Sequence, residues 1–250
     1  MKVLVITQAR VRSTRLPNKV MLNIGTETML SLHLKRLLRS KRADKIVVAT
    51  TNEDGVEHLL QVCDGLKVPY HQGSLNDVLD RFYKTARKYQ PELVVRVTSD
   101  CPLIDPELLD HVIDVAIKED VDYCANTLTE DFPDGQDIEV FKFRALEKAW
   151  NEAKLKSERE HVTSYIRNNS KLKSGGFFTA FDVTCSKNFN AIRMTVDEPA
   201  DLQTIRTLVK ELGIDARWEE YVDFMLKHKS SLLNTDILRN EGYLKSISNE

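Results

Sequence analysis

The sequence predicts an α/β protein of three layers, with a mostly parallel mixed sheet between two layers of helices. Two observations carry this. Short β-branched runs alternate with amphipathic helical stretches through the first half of the chain, and polar segments follow the carboxyl ends of those runs. Such alternation implies parallel strands joined by crossover helices. In open sheets of this kind, ligands sit beyond the carboxyl ends of the strands. At 250 residues, 42% of them hydrophobic, the chain suits one such domain with a modest appendage.

The elements follow in order. Residues 2–7 read as a buried strand, and the polar residues 8–25, with Pro17 and Gly25, as a loop. From Met29, apolar residues at 30, 34, 37 and 38 mark an amphipathic helix. Residues 45–50 form a second strand, followed by a helix near 55–63 and an extended piece near 67–70. Residues 76–89 are helical, 93–98 (LVVRVT) a third strand, and Pro106 opens another helix. Beyond these, 127–137 reads as a long loop, 139–143 as a strand and 145–153 as a helix. Residues 157–168 read as one helix, with Ser157 as N-cap and Glu160 three residues on. Two further strands are expected at 177–183 and 191–196, then a helix from Pro199 to Leu212. Residues 217–250 read as a mixed, helical extension.

Charge excludes some functions. With 36 basic and 38 acidic residues the net charge is −2, which gives no general attraction to nucleic acid or anionic membrane. A phosphate site must therefore come from a local cluster of cations. The four cysteines, at 63, 101, 124 and 185, form no C-x-x-C pair and read as buried free thiols. No apolar run approaches the length of a membrane span, and the N-terminal run is too short for a signal peptide, so the expected location is cytoplasmic.

The cation cluster lies directly after the first strand. Residues 8–19, QARVRSTRLPNK, hold Arg10, Arg12, Arg15 and Lys19 with no acidic residue among them, and add the hydroxyls of Ser13 and Thr14. Arginine offers a planar fork of donors to phosphate oxygens and lysine a compact charge, so the loop suits a triphosphate. The bland alternative is a solvated basic loop. Neither G-x-x-x-x-G-K-[ST] nor G-x-G-x-x-G is present, which disfavours a P-loop NTPase and an NAD-binding domain.

The segment Gln8-Ala9-Arg10-x-x-Ser13-Thr14-Arg15-Leu16-Pro17-x-Lys19 resembles the signature loop of the cytidylyltransferases that make CMP-activated acidic sugars, the CMP-Kdo and CMP-sialate synthetases. Its Gln-Ala-Arg opening is most similar to the branch named for the spore-coat polysaccharide biosynthesis protein SpsF. Segments 96–103 (RVTSDCPL), 158–162 (EREHV) and 195–199 (TVDEP) match in the family's order. The resemblance implies the nucleotide-diphospho-sugar transferase (GT-A-like) type of fold. It places a nucleotidyltransferase domain over residues 1–216, with acceptor binding and homodimer contacts in 127–183. It implies CTP as donor, a small acidic acceptor, pyrophosphate release and a role in surface polysaccharide or glycan biosynthesis. The Gln opening leaves the acceptor open among acidic sugars and phosphorylated or phosphonate compounds. No residue by itself separates CTP from UTP or GTP.

By the same resemblance, Gln8, Ala9 and Arg10 hold base and ribose together with Thr50, Thr51 and Asn52, while Ser13, Thr98 and Ser99 complete the nucleotide site. Arg10, Arg15 and Lys19 neutralise the triphosphate and the departing pyrophosphate. Asp100 ends the third strand and Asp197 is expected to end the strand 191–196. If both strands share a sheet, the two carboxylates converge on one Mg²⁺, which takes one or two carboxylates plus phosphate oxygens. Helix capping is the plainer role for Asp197 and for Asp105. Asp137, Glu139, Glu158 and His161 are the acceptor-site candidates, against solvated-loop and helix-stabilising alternatives. Two rivals remain at this level. A glycosyltransferase would carry a D-x-D motif where Ser99-Asp100-Cys101 stands, and a non-catalytic nucleotide-binding module need not keep both aspartates.

Overall fold

Strand β1 (Val3–Gln8) alternates its side chains between two apolar layers, and this sets the architecture. Val3 and Val5 enter one core and Leu4 and Ile6 the other. A sheet buried on both faces needs helices on both. The structure is a computed structural model and describes residues 2–13, 15–173, 175–235, 237 and 239.

After β1 come a 3-10 turn, Lys19–Met21, and a small hairpin of β2 (Asn23–Ile24) and β3 (Glu27–Thr28). Helix α1 (Met29–Leu37) is capped by Thr28, whose hydroxyl accepts from the Ser31 N–H. Then follow β4 (Lys45–Thr51), α2 (Glu57–Gly65), β5 (Tyr70–Gly73), α3 (Val78–Tyr89), β6 (Leu93–Thr98) and α4 (Pro106–Glu119). Asp105 caps α4 through Oδ1, as its position before Pro106 implied. The second half holds β7 (Tyr123–Ala125), β8 (Glu139–Lys142), α5 (Phe143–Glu152), α6 (Lys156–Glu160), α7 (Ser164–Asn168), β9 (Ala180–Asp182), α8 (Pro199–Leu212) and α9 (Trp218–Lys227).

The main sheet runs β5-β4-β1-β6-β8-β7-β9. The first four strands are parallel, β8 is antiparallel to both neighbours, and β7–β9 is parallel again, so the sheet is mostly parallel and mixed. Helices α1, α2, α4, α8 and α9 cover one face and α3, α5 and α7 the other. Trp218, Tyr221, Val222 and Met225 of α9 belong to the same core as Val3 and Val5 of β1. Among the described residues, no helix is long and apolar enough to cross a membrane. Cys63, Cys101 and Cys124 are buried free thiols, and Cys185 is free and half-buried.

Four expectations are corrected. Residues 157–168 form two short helices instead of one. The break falls at Val162, whose φ of 46° is left-handed, a conformation that strains a β-branched residue. Ser157 is not the cap: Leu155 precedes the helix, and the Glu158 carboxylate accepts from the N–H groups of Lys154 and Leu155. Within 177–183 only β9 joins the main sheet, and Phe178 makes an isolated parallel bridge to Ser170 instead. Residues 191–196 are not a strand of the main sheet, because β8 already occupies the flank of β6. They pack on the 133–136 turn instead, through Asp134 N–H to Ile192 O and Met194 N–H to Asp134 O. Gly135 makes this approach possible. Its φ is 106°, and a Cβ there would lie 2.7 Å from Met194 C and from Thr195 N.

Candidate active site

The carboxyl ends of β1 and β6 lie side by side in parallel register, Gln8 opposite Thr98. Ser99 N–H donates to Gln8 O at 3.1 Å, which ties the two strand-end loops together. Beneath them His33, fully buried on α1, donates from Nδ1 to the Cys101 carbonyl at 2.8 Å and accepts at Nε2 from the Thr7 hydroxyl at 2.9 Å. Burial lowers the His33 pKa to about 4, so the ring is neutral near pH 7 and acts as a fixed brace.

Asp197 reaches Asp100 without a strand. Val196 N–H donates to Asp100 O at 2.8 Å, and the Thr195 hydroxyl to the same oxygen at 3.3 Å. The two carboxylates then close on Lys19. Its Nζ is 3.0 Å from Asp100 Oδ2, 2.8 Å from Asp197 Oδ1 and 3.0 Å from Val196 O. Lys19 is aimed there by Asn18, which turns the chain with a left-handed φ of 56° into the 3-10 turn. Arg15 adds a contact of 2.9 Å to Asp197 Oδ2. Burial alone would lower the Lys19 pKa, but Asp100 and Asp197 outweigh it and the net shift is upward. Burial likewise pushes Asp100 up, and Lys19 more than reverses it, holding that carboxyl well below its usual range.

Two cavities meet at this cluster. One, of about 320 Å³, is lined by Gln8, Ala9, Arg10, Ser13, Arg15, Lys19, Thr98, Ser99, Asp100 and Asp197 among others. Most of the residues expected at a nucleotide site are therefore gathered in one place. The other, of about 350 Å³, is lined by Asp137, Glu139 and His161 and also by Asp134, Arg193 and Arg239. Arg15, Arg96, Thr98, Asp100, Glu160, His161 and Asp197 line both.

Other candidates lie elsewhere. Thr50 and Thr51 are buried at the end of β4 and Asn52 is exposed beyond them, and none of the three lines either cavity. Glu158 lines neither, its carboxylate being occupied with the cap of α6. Thr14 lies outside the described residues, as does most of the chain after Asn234 that was expected to continue the helical extension.

Several lining residues were not anticipated. Arg81 on α3 is 2% exposed and lines the smaller cavity. Burial and the nearby Arg10 lower its pKa to about 10. Its signal was a charge on the apolar stripe of an amphipathic helix, between Val78 and Phe82. Arg96 interrupts the buried strand β6 and pairs with Glu139, which also accepts from the hydroxyls of Tyr123 and Thr163 at 2.6 Å each. Burial raises the Glu139 pKa, but Arg96 outweighs it and keeps Glu139 ionised. Burial lifts Asp134 and Asp137, and each adds to it by its nearness to further acids. Arg193 binds Asp134 at 2.7 Å, Asp201 at 2.9 Å and Asp197 at 3.3 Å, and so fixes Asp197 from behind.

Known proteins resemble this chain in sequence and in fold. A family model described as cytidylyltransferase matches residues 4–235. An uncharacterized protein of Methanocaldococcus jannaschii is 38% identical over 97% of this chain and 98% of its own length. The spore coat polysaccharide biosynthesis protein SpsF of Bacillus subtilis is 31% identical over 84% of this chain and 88% of its own. A 3-deoxy-manno-octulosonate cytidylyltransferase of Chlorobium phaeobacteroides is 28% identical over 57% of this chain and 58% of its own. Among solved structures, a cytidylyltransferase from Leptospira borgpetersenii superposes with a TM-score of 0.88 at 31% identity, covering 96% of this chain and all of that one. With the signature loop, its partner carboxylates and the matching family model in one place, the chain belongs to the cytidylyltransferase family.

Proposed function

We propose that this protein transfers CMP from CTP to a small acidic sugar, releasing pyrophosphate, in the synthesis of a surface polysaccharide. One observation carries the reading: Lys19, Asp100 and Asp197 meet where the two cavities join. The smaller cavity holds the triphosphate. Arg10, Arg15, Lys19 and Arg81 face it and outnumber its acids Asp100, Asp197 and Glu160. Gln8 Oε1, buried there without a partner, is an acceptor for the amino group of a cytosine. The larger cavity, lined by Asp137, Glu139 and His161, takes the acceptor.

The donor set fits Mg²⁺. Among the described residues no three or more His, Cys, Asp or Glu are grouped to hold a metal by themselves. Two carboxylates closing on one cationic point, with room for phosphate oxygens, is the pattern this ion takes. Asp100 and Asp197 would hold it, and bound there it would neutralise and polarise the phosphates. The chain's own residues do the rest. Arg15 and Lys19 keep the triphosphate in place and stabilise charge growing on the departing pyrophosphate. Arg193 and the Val196–Asp100 hydrogen bond keep Asp197 in register, and the acceptor cavity sets an oxygen in line with the α-phosphorus. The new P–O bond forms as the bond to the β-phosphate breaks, and the acceptor hydroxyl releases its proton. Positioning and electrostatics carry such a step.

The protein acts as a homodimer in this reading. The flank of edge strand β9 exposes Phe177, at 66%, and Leu172, at 52%, within the 127–183 region. The test of the whole proposal is direct. The protein is incubated with each nucleoside triphosphate, Mg²⁺ and a panel of acidic sugars and phosphonates, pyrophosphate is measured and the conjugate is identified by mass. Pyrophosphate from CTP with a CMP conjugate supports the proposal. Firm CTP binding without turnover across the panel refutes it.

A further inference from the structure

We propose that Arg239, delivered by the chain after α9, binds an anionic oxygen of the acceptor in the larger cavity. The inference rests on the transfer reading and names a residue and a ligand group for it.

The segment after α9 is clamped by Asn234, which is 1% exposed. Its Nδ2 donates to Arg193 O and to Asp201 Oδ1 at 3.0 Å each, and its Oδ1 accepts from the Thr204 hydroxyl at 3.0 Å. Five positions later Arg239 lines the acceptor cavity. One terminal nitrogen donates to Phe132 O at 2.8 Å and the other to Asp137 Oδ1 at 2.7 Å. The side chain is 10% exposed, and its Nε is buried without a hydrogen-bond partner. A buried guanidinium N–H lacking an acceptor is a standing cost that a ligand oxygen removes.

Arg96 repeats the pattern. It lines the same cavity, its guanidinium pairs with Glu139, and its Nε too is buried and unpartnered. Arg193 differs, because three carboxylates already engage it. Of the five arginines lining the larger cavity, Arg96 and Arg239 thus combine a buried, unpartnered Nε with one balancing carboxylate each. A polyphosphate would meet Asp134, Asp137 and Glu139 there and be repelled. A polyhydroxylated ligand with a single anionic group meets donors for the anion and acceptors for its hydroxyls. Asp137 and the Phe132 carbonyl hold the guanidinium in place, and Nε is left for the ligand.

The experiment uses the full chain with Mg²⁺ and the α,β-methylene analogue of CTP, which fills the triphosphate cavity without transfer. The arginine Nε–Hε signals are followed by NMR, and that of Arg239 is identified by its loss in Arg239→Lys. It is expected to shift on addition of 3-deoxy-manno-octulosonate or inorganic phosphate, and to stay still with mannose. In Arg239→Gln, affinity for the acid sugar is expected to fall about tenfold, with partial recovery in Arg239→Lys and CTP affinity within about twofold of the parent. A signal unmoved by both anions, a shift equally large with mannose, or unchanged acid-sugar affinity in Arg239→Gln would overturn the assignment. Failure of CTP to bind the unaltered protein is a separate result, and it would remove the transfer reading itself.

Discussion

Replacing Lys19 by methionine tests the centre of the site. The side chain keeps its length and loses its charge, so the packing is nearly unchanged while Asp100 and Asp197 lose the cation between them. Each has an oxygen within 3.0 Å of Nζ. Those oxygens are therefore no more than about 6 Å apart, and two like charges at that separation repel by roughly 3 kcal/mol at an effective dielectric of about 20. The carboxylates are 30% and 20% exposed, and Arg15 and Arg193 still reach Asp197, which lessens the loss. A destabilisation of about 1–3 kcal/mol is expected in urea unfolding at pH 7.

The sign with pH follows from the shifts. The raised Lys19 pKa contributes stability fully present below its ordinary 10.5 and lost as pH rises through the folded value. The lowered Asp100 pKa contributes stability present above its ordinary 3.8 and lost as pH falls through the folded value. The difference between parent and Lys19→Met should therefore be flat from about pH 5 to 9. Millimolar Mg²⁺ should restore more stability to the variant than it adds to the parent, up to roughly 2.7 kcal/mol at a hundredfold excess over Kd. A variant as stable as the parent and indifferent to Mg²⁺ would show that the two carboxylates do not converge.

Four more outcomes are expected. Asp100→Ala should keep the fold and lower kcat by about 10²–10³ in the pyrophosphate assay; near-normal turnover would remove Asp100 from the site. Arg81→Gln should weaken CTP binding by about tenfold in calorimetry, and unchanged affinity would make Arg81 a packing residue. His33→Gln should flatten the acid limb of stability: in the parent, a folded pKa of about 4 against 6.5 makes stability fall by about 3 kcal/mol as pH drops through that window, and equal slopes in urea titrations would contradict this. Phe177→Asp should shift the protein to monomer by sedimentation, while an unaltered mass would place any self-association elsewhere.

The first half of the fold was legible because its signals are local. Alternating β-branched runs, the Asp105 cap and the apolar stripe of α3 each fix an element without help from distant residues. The cationic loop was legible because a run of four cations without an acid is rare in a chain of balanced charge. The misreadings were decided by long-range contact. Residues 191–196 look like a strand, but β8 holds the place beside β6, and only the bare backbone of Gly135 shows where the segment goes instead. The break at Val162 cannot be read from a helical pattern that continues across it. Arg193 and Arg239 drew no reading from the sequence, since a lone arginine carries no mark of the carboxylates that will surround it. Thr50, Thr51 and Asn52 sit at a strand end, as expected, yet none of them lines either cavity.

The way Asp197 is mounted has a consequence for change in this chain. Its spacing from Asp100 is set by one main-chain bond from Val196 and by the grip of Arg193, not by the pleat of a continuous strand. The exposed turn at 186–188, between the anchored Cys185 and Phe189, can therefore gain residues without shifting the two acids relative to one another. Homologous chains should vary in length there while Thr195, Val196 and Asp197 keep their places, and insertions engineered into that stretch should leave catalysis intact.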